Sequence, residues 1–471
     1  MNKNSIIRKL INFTFYFMMI QNNVYCIELT GIDLDKDKSN YNLDLNYCIK
    51  LATKNAIDIL KQKSSVELNG AEVLKSYASF LPNLTSQASY NYTTGTLYTT
   101  TATPAFITGD GTFSAITISS DFNIFNGFSD YASLNSYLLK KDSSELTLTR
   151  VKQKISLDIA QSFLQVILDN KMIEIAKQNF EESQAREKLL EAQSRVGSKS
   201  ISDYYLQQAQ TSSADSFLQT SENKLRNDEL ILLQKLRLDI KKNYKFIEIN
   251  LNNLQEDKNF ENESQLIKVA LNKRIDLKSI NKLKKSAEYD VQNTQSGYLP
   301  KLDFVVSTTS TSSYLNTQTV NGINVVPPSQ SPITDQLSNQ VKYYIGINFT
   351  WNIFDRLVTY ANESQSRTMA YQIKLDEENL YNQIIVDART AFGNYKLALQ
   401  NLDSSYKGLF ASEKAYQVMS GRYKVGSASF VDLSTAQSTL VQAQSTRAQA
   451  LINFKLQNWN VKYATGELEV L

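Results

Sequence analysis

The strongest constraint on this chain is a long run, Ser129 to Val196, that contains neither proline nor glycine. All six prolines lie in segments 82–104 and 300–332, so elsewhere helices are free to extend. At about 1.5 Å per residue, one helix over this run would be roughly 100 Å long. Apolar residues recur at heptad spacing along it: Ile159, Val166, Ile173 and Phe180. The run therefore predicts a very long helix packed as in a coiled coil.

The chain also repeats itself. V-G-S-K-S-I-S-D at Val196–Asp203 returns as V-G-S-A-S-F-V-D at Val425–Asp432, an offset of 425 − 196 = 229 residues. N-I-F at Asn123–Phe125 returns as Asn352–Phe354 with the same offset. Each half reads helix, L-P, β-rich segment, N-I-F, very long helix, V-G and a further helix. This order predicts an internal tandem duplication.

The pattern sets the expected domain boundaries. The first repeat, residues 27–240, is predicted to hold strands over 84–92 and 113–125, a long helix over 128–196 and a return helix over 202–240. The second, residues 264–465, is predicted to hold strands over 301–314 and 341–354, a long helix over 356–425 and a return helix over 430–464. An inter-repeat segment, 241–263, and a C-terminal end, 466–471, complete the chain.

The first 26 residues are typical of a secretory signal peptide. A basic start precedes the apolar run Leu10–Ile20, which is too short to span a bilayer comfortably. Cys26 offers the alternative of a lipidated cysteine, although Tyr25 stands where a lipobox requires a small residue. The residues predict export and leave the cleavage site and lipidation open.

Composition excludes most catalytic chemistry. The chain has no histidine and two cysteines, which removes histidine-based acid–base and nucleophile systems and most zinc sites. No phosphate-binding loop or nucleophile motif is present, so an enzyme is a distant alternative. Without the three basic residues of segment 1–26, 50 − 3 = 47 basic residues face 47 acidic ones. This balance gives no support for a nucleic-acid partner, and no cofactor or metal is indicated.

The β-rich segments alternate between apolar and polar residues. Ile116, Ile118, Phe122 and Ile124 share one face, as do Tyr343, Ile345, Ile347, Phe349 and Trp351. This pattern is typical of membrane β-barrel strands, and a half-buried strand of a soluble sheet is the alternative. Four strands cannot close a barrel, and an open edge in lipid leaves backbone groups unpaired. If the strands lie in a membrane, three chains would share one twelve-stranded barrel.

In this order, the motifs resemble the TolC-type outer-membrane channels of Gram-negative efflux pumps and type I secretion systems. The resemblance covers roughly Leu43 to Gly466. It implies an α+β membrane protein that is a homotrimer, with four strands per chain in a lipid-embedded barrel and a long periplasmic α-helical tunnel. A mixed equatorial domain would come from the segments Lys241–Glu263 and Tyr463–Leu471. The implied partners are a periplasmic adaptor (membrane fusion) protein and an inner-membrane transporter of the RND, ABC or MFS type.

The repeated phrase first predicts two helix reversals. Gly197 and Gly426 suit the left-handed residue that closes a long helix. Ser202 or Asp203, and Asp432, suit the start of the returning helix, where a carboxylate accepts backbone N–H bonds.

The resemblance adds roles to these turns. Asp432 falls at the family's pore-facing position, and Thr435 stands where a second pore aspartate is common. Tyr423 matches the tyrosine of the family's gate latch, and Asp203 matches its carboxylate partner. The latch arginine falls on Ala428 and is absent. Arg422 and Ser202 complete the expected latch region, with Arg422 as a substitute cation that helical geometry points to another face.

Adaptor contact is implied at Val196, Gly197, Val425 and Gly426. The alternative to a channel is an exported helical adhesin or spacer built from long coiled coils with a small β head. Membrane partitioning and ion conduction would separate the two. The sequence does not name the cargo, the transporter partner or the resting size of the aperture.

Overall fold

The computed structural model describes residues 41–99, 105–242, 244–247, 262–327 and 329–469. In chain order the elements are β1 (Tyr41–Leu43), α1 (Leu45–Asn55), α2 (Ile57–Ala78), β2 (Thr85–Thr99), β3 (Ala105–Phe125), α3 (Ser129–Arg195), α4 (Ile201–Leu236), β4 (Tyr244–Phe246), α5 (Glu263–Lys273), α6 (Ile275–Gln295), β5 (Lys301–Val320), β6 (Ile323–Val325), α7 (Ile333–Asn339), β7 (Val341–Thr350), α8 (Val358–Lys424) and α9 (Phe430–Thr465). The predicted signal segment with Cys26, and most of segment 241–263, lie outside the described residues.

The two halves of the chain have matching helices. The long helices α3 and α8 are 67 residues each, and the return helices α4 and α9 are 36 residues each. Both long helices begin after a residue with a left-handed backbone, Phe128 at φ 67° and Leu357 at φ 65°. The N-I-F motif therefore marks the same sharp turn from strand to helix in each half.

The helices pack with the seam that the heptad spacing predicts. In α8 the side chains of Ile384, Ala388, Ala391, Tyr395 and Ala398, spaced by three and four residues, are buried. In α3 the heptad residues Ile159 and Val166 are buried, and those farther towards its C-terminal end are half-buried.

Small residues also let α6 approach α3 closely. The hydroxyl oxygens of Ser136 and Ser286 are 3.0 Å apart, and those of Ser143 and Ser279 are 2.8 Å apart. All four serines are buried, so these hydroxyl pairs satisfy polar groups that would otherwise be costly inside a helix interface.

The sheet is antiparallel, with β2, β3, β5 and β7 side by side and β6 pairing only the far end of β5. β2 and β3 are longer than predicted, because residues between the two predicted strands continue to pair as far as Thr99 and Ala105. β7 is shorter than predicted. It ends at Thr350, which pairs with Lys301, so residues 351–354 lie beyond the start of β5.

One face of this sheet is apolar and exposed. Phe304 on β5 lies opposite Ile347 on β7, and Val306 lies opposite Ile345. The side chain of Ile345 is 71% exposed. Among the described residues, no helix is both long and apolar enough to cross a membrane. The apolar residues of β5 and β7 form a broad exposed patch on the sheet. A patch of this kind normally marks a surface that is covered by lipid or by another protein.

The other end of the chain folds back onto α3. The Arg150 guanidinium donates to the carbonyl oxygen of Tyr463 at 2.9 Å and stacks on its ring, and Gln153 donates to the carbonyl of Leu468 at 3.0 Å. Nearby, β1 pairs with β4 in parallel register. These contacts place the described parts of the predicted equatorial segments beside the middle of the long helices.

Candidate functional site: the two helix turns

Each long helix ends in the same backbone motif. Gly197 has φ 74° and Gly426 has φ 77°, which confirms the predicted left-handed residue at both turns. The N–H of Ser198 bonds to the carbonyl of Gln193 at 2.9 Å, and Ser427 bonds to Arg422 in the same way at 2.9 Å. This six-to-one pattern is the Schellman motif, which satisfies the last helical carbonyls and lets the chain reverse.

Serine caps each return helix. Ser200 precedes α4 and accepts a hydrogen bond from the Ser202 N–H at 3.1 Å, and Ser429 precedes α9. The sequence predicts that Ser202 or Asp203 begins this helix or lies in its first turn. The structure puts both in the first turn, two and three residues after Ser200, which has the extended backbone that an N-cap requires.

Asp432 closes a capping box with Ser429. Its N–H donates to Ser429 Oγ at 3.1 Å, and its Oδ2 accepts from the Ser429 N–H at 3.1 Å. The Ser429 hydroxyl also donates to Asp432 Oδ2 at 2.8 Å, and this bond, followed by the bond from the Ser429 N–H, holds the pKa of the Asp432 carboxyl below its usual range. The residue stays at the surface, as does Thr435 one turn later. The carboxylate is therefore charged and anchored at the tip of the second turn.

Asp203 is used differently. Its Oδ2 accepts a hydrogen bond from the Tyr423 hydroxyl at 3.3 Å, which joins the first turn to the end of α8. Tyr423 is 9% exposed and packs with Leu190, Phe430 and Leu433. Burial, followed by the nearby Asp203 charge, raises the pKa of Tyr423 to about 12. The phenol is therefore a neutral donor at ordinary pH, and the structure brings together the two residues predicted as a latch.

A cation that sequence reasoning missed lies on the same tyrosine. Lys199 Nζ is 4.1 Å from the centre of the Tyr423 ring. Lys199 is the counterpart of Ala428 in the other copy of the phrase, since 199 + 229 = 428. The position that lacks the family's arginine in one copy therefore carries a lysine in the other, and aligning the two copies for charge would have revealed it.

Arg422 does not take that place. Its Nη2 donates to the carbonyl of Ser427 at 3.1 Å, within its own turn. Its charge instead contributes to lowering the pKa of Asp432. The helix points Arg422 and its neighbour Tyr423 to different sides, as expected for adjacent helical residues.

The outer surface of the turns is apolar. Val196 is 78% exposed and Val425 is 80% exposed, with Ile201 and Val431 also exposed beside them. A β-carbon built on Gly197 or Gly426 would meet no atom within 4 Å, so the surface around both glycines is open. Two matching apolar tips flank the charged groups.

The chemistry available here is electrostatic. In the part of the chain that the structure describes, no group of three or more histidine, cysteine, aspartate or glutamate residues is placed to hold a metal ion. The turns instead offer fixed carboxylates, cations and hydroxyl donors whose contacts cross from one helical hairpin to the other. Such contacts can hold two hairpins together and can attract or repel ions.

The arrangement of helices and turns has known relatives. The family model for outer membrane efflux proteins matches residues 48–236 and 266–467, which is well over half of the chain. The chain belongs to this family. The match includes both long helices and both turns.

Curated family relatives include the outer membrane protein TolC of Salmonella enteritidis, which is 23% identical over 204 residues. That match covers 43% of this chain and 39% of the relative. TolC of Escherichia coli (strain K12) is 22% identical over 221 residues, covering 47% of this chain and 43% of the relative. The chain thus matches less than half the length of these two relatives.

The same architecture is seen in solved structures of outer membrane channels. The CmeC channel of Campylobacter jejuni superposes with a TM-score of 0.77 at 16% identity, covering 90% of this chain and 86% of CmeC. At this identity the likeness concerns the fold, and it extends over both the sheet and the long helices.

Proposed function

We propose that this efflux-family protein is the outer-membrane exit duct of a tripartite efflux pump or type I secretion system. One observation carries the proposal: a sheet built on four long strands, with an exposed apolar face, is joined directly to two helical hairpins of equal length. A membrane-facing sheet and a helical wall roughly 100 Å long match a duct that crosses the outer membrane and the periplasm. Membership of the family supports the same conclusion.

The duct is a homotrimer in this proposal. Within the described sheet, β2 and β7 lie at the two edges, and each presents one side to no other strand of the same chain. Backbone groups left unpaired in lipid cost several kcal/mol each, so the edges require partners. Three copies supply twelve strands, and the same symmetry arranges the hairpins α3–α4 and α8–α9 into a cylinder. Equal helix lengths in the two halves support a tandem duplication.

The turns form the periplasmic aperture. Asp432, repeated by symmetry, makes a ring of carboxylates that favours cations, and Thr435 leaves that ring with one acidic position per chain. The Tyr423–Asp203 hydrogen bond, with Lys199 on the tyrosine ring, contributes to holding the aperture closed. Opening separates the end of α8 from the first turn.

The apolar tips bind the adaptor. Val196 and Val425, next to the open glycines Gly197 and Gly426, offer the same surface twice per chain, which suits repeated contact with an adaptor's helical hairpins. The adaptor joins the duct to an inner-membrane transporter, which supplies the energy and selects the cargo. The channel itself requires no cofactor and catalyses no reaction.

Conductance of the purified protein in a planar bilayer tests this function. The expected result is a trimer by native mass spectrometry that forms ion-conducting channels and co-purifies with an adaptor. A protein that remains monomeric in detergent and conducts no ions would contradict the proposal and would favour the exported adhesin or spacer.

A further inference from the structure

A second contact between the hairpins lies deeper in the helical region. The guanidinium of Arg186, on α3, donates through Nη2 to the Tyr416 hydroxyl of α8 at 2.7 Å. Through Nη1 it donates to the Gln437 side-chain oxygen of α9. Gln437 in turn donates to Asn179 of α3 at 3.1 Å. One arginine of the first hairpin therefore donates hydrogen bonds to both helices of the second.

This contact is close to the turns but separate from them. Arg186 precedes Gly197 by eleven residues, so it lies about 16 Å along the helix from the reversal. Gln437 is 2% exposed, and Arg186 itself is half-buried. Tyr416 packs against the apolar cluster that contains Tyr423. The charge of Arg186 also favours ionisation of Tyr423, although burial and Asp203 dominate that pKa.

The duplication shows that this contact is not part of the common scaffold. With the offset of 229 residues, Arg186 corresponds to Ala415 and Asn179 corresponds to Gly408. Gly197 and Ser200, by contrast, have identical counterparts in Gly426 and Ser429. The backbone turn recurs in both repeats, and Gln437 has the identical counterpart Gln208, whereas the arginine that makes the contact, Arg186, occurs in the first repeat only. A contact that merely maintained the hairpin fold would be expected in both.

We propose that Arg186 is a gate-positioning residue that stabilises the closed aperture by fixing α8 and α9 against α3. This inference rests on the proposed channel function. Arg186 acts through Tyr416 and Gln437, and it provides a cationic link between hairpins in a protein whose family arginine position is Ala428. A guanidinium suits the role because its planar fork bonds two acceptors on two different helices at once.

Opening the aperture moves the second hairpin relative to the first. That movement breaks both Arg186 hydrogen bonds and leaves a half-buried charge without its acceptors. Hydrogen bonds to charged groups are stronger than neutral ones, and the lost acceptors raise the free energy of the open state. The closed state is therefore favoured without any contact between Arg186 and the transported cargo.

The test uses the full mature chain as purified trimers in planar bilayers, with Arg186→Gln as the main variant. We expect its open probability to rise by tenfold or more, because the variant loses both hydrogen bonds of the guanidinium and one hydrogen bond to a charged group already accounts for roughly tenfold. Tyr416→Phe, which removes one acceptor, should give a smaller rise. Arg186→Lys should restore part of the closure, because a lysine keeps the charge but reaches one acceptor more readily than two.

Arg195→Gln is the matched control. Arg195 lies on the same helix, is 77% exposed at its side chain and bonds only to Glu191 one turn away among the contacts described. It should gate like wild type. The thermal midpoint of the trimer is measured for every variant, and we expect Arg186→Gln to match Arg195→Gln in stability while differing in gating.

The outcomes separate this inference from the function on which it rests. A wild-type protein that conducts, with Arg186→Gln and Tyr416→Phe indistinguishable from it, would overturn the role of Arg186 and leave the channel intact. A wild-type trimer that conducts nothing would overturn both. Should Arg186→Gln fail to assemble, Tyr416→Phe decides the matter, since it removes a single hydroxyl.

Discussion

The two copies of the repeated turn share the same backbone conformation, but the aspartates at equivalent positions, Asp203 and Asp432, make different contacts. Asp432 turns back onto its own cap, Ser429, and remains a surface charge. The Asp203 carboxylate instead accepts a hydrogen bond from the Tyr423 hydroxyl of the other hairpin. The two repeats carry aspartates at equivalent positions, and the partner available to each determines whether it is a fixed surface charge or a link between hairpins.

Farther from the turns, the two long helices α3 and α8 also bury different kinds of side chain at equivalent positions. Asp169 of α3 is 1% exposed, and its Oδ1 accepts from Lys224 at 2.8 Å and Gln165 at 2.9 Å. Its counterpart in α8 is Ala398, since 169 + 229 = 398, and Ala398 packs in an apolar cluster with Phe454. The first hairpin thus buries polar and charged contacts where the second buries small and aromatic side chains.

Removing the link between hairpins should have the largest effect on gating. In Asp203→Ala or Tyr423→Phe, the aperture loses a hydrogen bond to a charged group, worth about 1.5–3 kcal/mol. We expect open probability to rise by tenfold or more in single-channel recordings. The double variant should add little to either single one, because both remove the same bond.

The carboxylate of the second turn serves as a contrast to this first prediction. Asp432→Asn leaves the Tyr423–Asp203 bond in place, so it should alter ion selectivity without a comparable rise in open probability. An unchanged open probability in Tyr423→Phe would show that the hydrogen bond between the turns plays no part in closure.

The buried carboxylate of the first hairpin makes stability depend on pH. Burial, then the neighbouring Asp228 of α4, raises the pKa of Asp169, while Lys224 opposes the shift. A carboxyl whose folded pKa is raised stabilises the protein at low pH, and that contribution is lost as pH rises through the raised value. Thermal midpoints of the wild type should therefore fall from acid to neutral pH through this contribution.

Asp169→Asn should remove this part of the pH dependence, with a change on the order of 1 kcal/mol, because the amide stays neutral and keeps one oxygen for Lys224. Asp142→Asn is the control, since Asp142 lies on the same helix, is 50% exposed at its side chain and pairs with Lys282. If thermal melts across pH show the same slope for wild type and Asp169→Asn, Asp169 does not supply the dependence.

Much of the fold is predictable because it follows from local signals that agree. The absence of proline and glycine predicts the length of α3. Gly197 and Gly426 predict where α3 and α8 end, and the alternation of apolar and polar residues predicts the strands. The strand ends were less predictable. β2 reaches Thr99 and β7 stops at Thr350 because pairing with a neighbouring strand, not local composition, determines where each ends.

The candidate site was predictable where motif position determined the contact. Tyr423 and Asp203 meet as the family motif indicated. Arg186 and Lys199 were not found, because their contacts join residues far apart in the sequence and no spacing rule links Arg186 to Tyr416 or Gln437. Arg422 was named as a substitute from its closeness in sequence, and the helix turns it towards Ser427 instead.

Ion selectivity offers a smaller effect that isolates the second turn. Asp432 keeps its charge because its bonds to Ser429 lower the pKa of its carboxyl, so the proposed ring of Asp432 carboxylates remains negative until the pH falls through that lowered value. In Asp432→Asn, preference for cations over anions should fall in low salt, where charges act over about 30 Å. In 1 M salt, where screening limits them to about 3 Å, the variant and the wild type should converge.

Reversal potentials measured in salt gradients check this prediction. Asp203→Asn is the comparison, since the Asp203 carboxylate is engaged by Tyr423 and should contribute less to selectivity. Equal selectivity of Asp432→Asn and wild type in low salt would place the Asp432 carboxylates away from the ion path.

The smallest effect concerns the residue that distinguishes the two copies. Lys199→Ala gives the first turn the alanine that the second has at Ala428, and it removes the cation from the Tyr423 ring. A cation–π contact of this kind is worth about 0.5–1 kcal/mol, so open probability should rise by roughly two- to fivefold. Ala428→Lys, which gives the second turn the residue of the first, serves as the reciprocal variant. It should not restore closure in Lys199→Ala if position over the ring, rather than net charge at the tip, is what matters. Full recovery in the double variant would mean that the tip requires only a positive charge, and the specific geometry of Lys199 would lose its role.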